Sequence, residues 1–144
     1  MIEQDTIKLL RECDAGVKMG VSSLRDVLPY VRSENLKRLL SDCRAEHDRL
    51  DGELQGLLDR YGDEGKDPNP ISQKMSELVT KLKLSVHESD QTIADLMTDG
   101  CSMGVKSLSR YLNRYAAADE ASKGIARRLI ALEETLAAEL RGFL

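Results

Sequence analysis

Two stretches of this chain are nearly the same. Gly16-Val-Lys-Met19-Gly20-Val21-Ser-Ser23-Leu24 is followed one turn later by Leu28, and Gly100-Cys-Ser-Met103-Gly104-Val105-Lys-Ser107-Leu108 is followed one turn later by Leu112. Seven positions recur unchanged at an offset of 84 residues. The likeness continues at an offset of 86: Ser33-Glu34 matches Asp119-Glu120, Leu50 matches Leu136, Glu53-Leu54 matches Glu139-Leu140, and Gly56 matches Gly142. An offset that changes inside a turn is where an insertion costs least. A helical hairpin used twice is the arrangement this pattern predicts.

Apolar residues recur at helical spacing within each copy. Leu10, Cys13, Val17, Val21, Leu24 and Leu28 share one face of a first helix, expected from about Glu3 until Pro29 stops it. Ser33 is a good N-cap for a second helix, which carries Leu36, Leu40, Cys43, His47, Leu50, Leu54, Leu57 and Tyr61. Gly62 and Gly65 end that helix in a polar loop. Asn69-Pro70 reads as a fresh start for a short connecting helix through Met75, Leu78, Val79, Leu82 and Val86. A third long helix follows from about Asp90, capped by Ser89 or Asp90, with Ile93, Met97, Cys101, Gly104, Leu108 and Tyr111 on its stripe. Asp119 caps a fourth, through Ile125, Leu129, Leu132, Leu136, Leu140 and Phe143.

These elements make one domain over 1–144: hairpin one at 3–61, a crossover at 62–88 and hairpin two at 89–144. A helix of roughly 26 residues is about 40 Å long, and the crossover is long enough to return along most of it. An all-α four-helix bundle with a pseudo-twofold axis is expected. Gly16/Gly20 and Gly100/Gly104 each lie one turn apart, which predicts a close approach of the first and third helices. Met19 and Met103 are expected to fill the core.

The composition supports helices: 41% hydrophobic, 32% charged, no Trp and three Pro. A net charge of −4, with both signs interspersed, gives no basic face for nucleic acid. Cys13, Cys43 and Cys101 are odd in number and widely spaced, so they read as reduced, buried thiols. No apolar run approaches membrane-spanning length, and Met1-Ile-Glu-Gln-Asp5 has no apolar signal core. A soluble, cytoplasmic protein without membrane or nucleic-acid partners is expected.

The hairpin–crossover–hairpin layout resembles the ferritin-like superfamily over the whole chain. The Ala45-Glu-His47-Asp-Arg-Leu50 run is similar to that of small uncharacterised bacterial ferritin-like bundle proteins. The resemblance implies a ferritin-like four-helix bundle whose crossover carries a short fifth helix, and it implies oligomers. Di-iron members of that superfamily bind metal through two glutamates and two Glu-x-x-His motifs. This chain has no Glu-x-x-His: Arg44 precedes His47 by three, Leu84 precedes His87, and the fourth helix has no histidine.

A polar layer nevertheless remains. Folding each hairpin about its turn places Asp14 level with His47 and Asp99 level with Glu133. Glu46, His47, Asp14, Asp99 and Glu133 are therefore candidate ligands for a divalent metal such as iron, manganese or zinc. The competing reading is structural: His47 bonded to a carboxylate, fixing helix register. His87 reads as a capping or surface residue. Ser22, Ser23 and Ser107 have no base beside them in the pattern, and Gly62-Asp-Glu-Gly65 lacks the Lys-Ser/Thr of a phosphate loop. No catalytic residues and no cofactor are expected. The expected function is that of a structural or protein-interaction module, a homo-oligomer or the partner of another protein. An apolar strip of Leu78, Leu82 and Val86 would serve such contacts.

Overall fold

The stop and cap signals fall where the chain turns. The computed structural model describes residues 2–68 and 89–144. Helix α1 spans Ile2–Val27, and Pro29 lies in the 3-10 turn Leu28–Tyr30 that follows. Ser33 caps α2, Glu34–Arg60, by accepting from Leu36 N at 3.3 Å. Gly62 and Gly65 then take φ of 61° and 83°, left-handed backbone open to glycine. Helix α3 spans Ser89–Arg114. Asp119 caps α4, Glu120–Leu140, accepting from Ser122 N at 2.8 Å, and a 3-10 turn Arg141–Phe143 follows. Among the described residues there are four α-helices and no strand, and no helix is long and apolar enough to cross a membrane. The connecting helix expected at Asn69 to Val86, its Leu78, Leu82 and Val86 strip, and His87 lie outside the described residues.

Hydrogen bonds at the two ends set the helix order. At one end Asp90, near the start of α3, accepts from Arg32 N and Ser33 N at 2.8 Å each. Both oxygens of this expected cap residue thus serve the α1–α2 turn. At the other end Thr6, near the start of α1, accepts from Asp119 N at 2.8 Å. Asp5 accepts from Ala117 N at 3.1 Å, and the Tyr61 hydroxyl donates to Asp119 at 3.2 Å. So α3 begins beside the α1–α2 turn, and α4 begins beside the start of α1. The helices run up, down, down and up. Chain entering the connection leaves one end of the bundle and re-enters at the other, which excludes an up-down-up-down order. Thr6 and Asp90 are related by the offset of 84, and their partners Ser33 and Asp119 by 86.

The apolar stripes close into two clusters. One holds Leu24, Val27, Leu36, Leu40, Cys43, Ile93, Ala94, Met97, Cys101, Leu136 and Leu140. The other holds Leu9, Leu10, Cys13, Val17, Leu50, Leu54, Leu58, Leu108, Ile125, Ala126 and Leu129. Burial of this aliphatic surface, at about 25 cal/mol per Å², is what holds the helices together. Between the clusters each helix contributes one residue that is polar or lacks a side chain: Gly20, His47, Gly104 and Glu133. One methionine departs from its expected place: Met103 is 57% exposed rather than filling the core.

Candidate functional site

The layer between the clusters is built from two equivalent pairs. His47 is 2% exposed, and its ring lies over Gly20: a Cβ there would stand 2.8 Å from Nε2. Glu133 lies over Gly104 in the same way, its carboxyl oxygens 2.5 and 3.1 Å from where a Cβ would stand. In both places the polar side chain occupies the volume that a methyl group on the glycine would take. His47 and Glu133 are themselves related by the offset of 86, and Gly20 and Gly104 by 84.

The two pairs differ in chemistry. His47 Nδ1 is 2.8 Å from the carbonyl oxygen of Cys43, one turn back on its own helix. A carbonyl only accepts, so Nδ1 carries the proton and donates it. Nε2 is buried and without a hydrogen-bond partner among the described residues. The expected carboxylate partner of His47 is thus replaced by its own helix. Glu133 has no hydrogen bond or ion pair among the described residues, and burial alone pushes its carboxyl up to about 7.

The other expected members of the layer stand elsewhere. Asp14 is fully buried and holds the start of the connection against α1. It accepts from Gln55 Nε2 at 2.9 Å and from Lys66 N at 3.0 Å, and it pairs with Lys18 at 2.8 Å. Gly65 passes so close to the Asp14 carboxylate that a Cβ would collide with it. The connection is strapped further along α1 by Arg11 to Asp63 at 2.6 Å, Lys66 to Glu12 at 2.6 Å and Lys18 to Asp67 at 3.2 Å. The Arg11 guanidinium beside Asp63 holds its carboxyl below the ordinary value. Asp99 is exposed. Glu46 faces outward and pairs with Arg49 at 2.6 Å. Among the described residues, no group of three or more His, Cys, Asp or Glu side chains that could hold a metal ion comes together.

The glycines do not form the α1–α3 seam expected from their spacing. Nearest to a Cβ at Gly16 is Leu129 of α4, at 3.4 Å, and a Cβ at Gly100 would meet nothing within 4 Å. Gly20 and Gly104 admit a side chain from the second helix of their own hairpin. The sequence reading missed this pairing, although the matched offsets of glycine and polar residue were present to reveal it.

All three cysteines are buried and free, as expected. Burial pushes each thiol up to about 12. Such thiols are protonated at neutral pH and poor nucleophiles. Among the described residues, the fold and its central layer define an all-helical bundle of four helices running up, down, down and up. Compared with known proteins, the chain matches no family model, no curated protein and no solved structure.

Proposed function

We propose that this chain is a ferritin-like bundle, built from a duplicated hairpin, that acts through protein contacts and without catalytic activity. The observation that carries this reading is the dispersal of its chemically capable side chains into separate structural tasks. Asp14 anchors the connection, His47 bonds its own helix, Glu46 pairs with Arg49, and Asp99 faces solvent. The thiols are held neutral. The helix order and the matched end bonds of Thr6 and Asp90 support the duplicated, ferritin-like arrangement.

The partner is a second copy of the chain. Met103, exposed midway along α3, favours a contact there, because a large apolar side chain in water gains most from being covered. Light scattering on the purified protein tests this. A mass that is a multiple of 16.0 kDa, reduced to one chain by Met103→Glu, is expected. A monomeric wild type overturns the homo-oligomer. Elemental analysis of protein purified without a histidine tag is the second check: stoichiometric metal, lost in His47→Ala, would replace this reading with metal binding.

A further inference from the structure

Helices α1 and α3 carry the matched glycine stretches, and only α1 has its outer side covered. No residue of α1 from Glu12 to Leu24 is exposed. Glu12, Asp14 and Lys18 are engaged there by Lys66 and Asp67 of the chain that leaves α2. At the offset of 84, α3 from Leu96 to Leu108 exposes Asp99, Ser102, Met103 and Lys106, among others. Met103 is 57% exposed, whereas its counterpart Met19 is half-buried.

The charges on this bare face are ordered. Asp95, Asp99, Ser102, Lys106 and Arg110 are exposed and follow one another at three- and four-residue steps, so they share one side of α3, with Met103 beside Ser102. Both carboxylates precede Met103 and both cations follow it. None of the four charged groups makes a hydrogen bond or ion pair among the described residues. Asp95 and Asp99 lie one turn apart, as do Lys106 and Arg110, and like charges at that spacing destabilise a helix on its own. The helix dipole does not account for the order, because its effect falls off within the first and last turns.

We propose that this face of α3 docks on the same face of a second copy, the two helices antiparallel about a twofold axis that passes between Ser102 and Met103. The inference rests on the reading of the chain as a homo-oligomer and gives that oligomer its geometry. In this register Asp99 lies level with Lys106 of the second copy, and Asp95 with Arg110, so every unpaired charge on the face meets its opposite. The two Met103 side chains cover one another at the centre, where Ser102 has little bulk to hold the helices apart. A twofold contact needs a self-complementary patch, and the order of charges supplies one. A parallel pairing would set carboxylate against carboxylate and cation against cation. The contact from 95 to 110 is about 22 Å long. Such an interface is at the small end of the specific range, so the dimer dissociates on dilution.

The test is charge reversal read by sedimentation equilibrium. Wild type should be a dimer of 16.0 kDa chains. Asp99→Lys and Lys106→Glu should each raise the dissociation constant at least about tenfold, since symmetry turns two ion pairs into like-charge contacts. The two variants mixed in equal amounts should form a mixed dimer with wild-type affinity. Wild-type affinity in both single variants, or weakening without rescue in the mixture, overturns this face and leaves a homo-oligomer standing. A monomeric wild type overturns both. Cross-linking fixes the direction, and the native thiols are buried and do not compete. Ser102→Cys should link to its own copy on air oxidation. Asp95→Cys should not, because the antiparallel register holds the two copies of that position about 22 Å apart. Self-linking at position 95 overturns the arrangement.

Discussion

The first hairpin and the second each hold a polar side chain over a glycine, yet the two polar groups are bonded differently. His47 over Gly20 donates to the Cys43 carbonyl of its own helix, whereas Glu133 over Gly104 has no hydrogen bond among the described residues. The same backbone slot thus holds an imidazole with one nitrogen bonded and the other buried without a partner, and a half-buried carboxyl group, among the described residues. The hairpins differ again one turn away. Asp14 in the first is a buried anchor for the connection, and its counterpart Thr98 only bonds back to Ala94 O, at 2.7 Å. Gly16 packs beside Leu129, while Gly100 is open. Slots of like shape at the two positions thus hold side chains with different surroundings.

The largest expected difference is at Asp14. Asp14→Ala removes the acceptor for Gln55, Lys66 N and Lys18 and leaves buried donors unpaired. A loss of about 3–4 kcal/mol in urea unfolding is expected. Thr98→Ala should cost less than about 0.5 kcal/mol. Similar costs at the two sites would mean that the strap contributes nothing to stability.

The next effect is that of pH. The Glu133 carboxyl is raised in the folded chain, so its neutral form is what the fold favours. That stability is fully present below the ordinary value of 4.5 and is lost as pH rises through about 7. Wild type should lose about 2 kcal/mol between pH 5 and pH 8 relative to Glu133→Gln. Parallel pH profiles of the two proteins would show that the carboxylate is not buried in solution.

A smaller contrast separates the two slot glycines. Gly20→Ala drives a methyl group into the buried His47 ring, and a destabilisation of about 1–2 kcal/mol is expected after the helix-propensity gain. Gly104→Ala meets only the far end of a flexible side chain that can swing outward, so thermal unfolding should show no loss or a gain of up to about 1 kcal/mol. The smallest effect is at Gly100, where nothing lies within 4 Å: Gly100→Ala should stabilise by about 0.5–1 kcal/mol. A destabilised Gly100→Ala would show that this exposed face is covered in solution.

Local rules made much of the molecule legible in advance. The stop at Pro29, the caps Ser33 and Asp119 and the glycines that end α2 depend on residues within a turn or two of one another, so the sequence carries them directly. The central layer was legible only in part. His47 was found because it interrupts an apolar stripe, and Glu133 because it lies 86 residues after His47 and level with Asp99. Asp14, Asp99 and Glu46 were placed beside them by folding each hairpin about its turn, and that estimate ignored the direction of side chains. On a helix every Cα–Cβ bond tilts toward the N-terminus. In an antiparallel pair the two sets of side chains lean opposite ways, so His47 reaches Gly20 rather than Asp14, and Glu133 reaches Gly104 rather than Asp99.

By itself, then, the sequence determined the four described helices and their ends, because those follow from spacing and capping along the chain. Only the tertiary structure decided which residues face one another. That depends on helix stagger, side-chain tilt and the path of the connection along α1, through contacts between residues far apart in sequence. The pairing of each polar side chain with a glycine, and the absence of a partner for Glu133 among the described residues, belong to that second kind of fact.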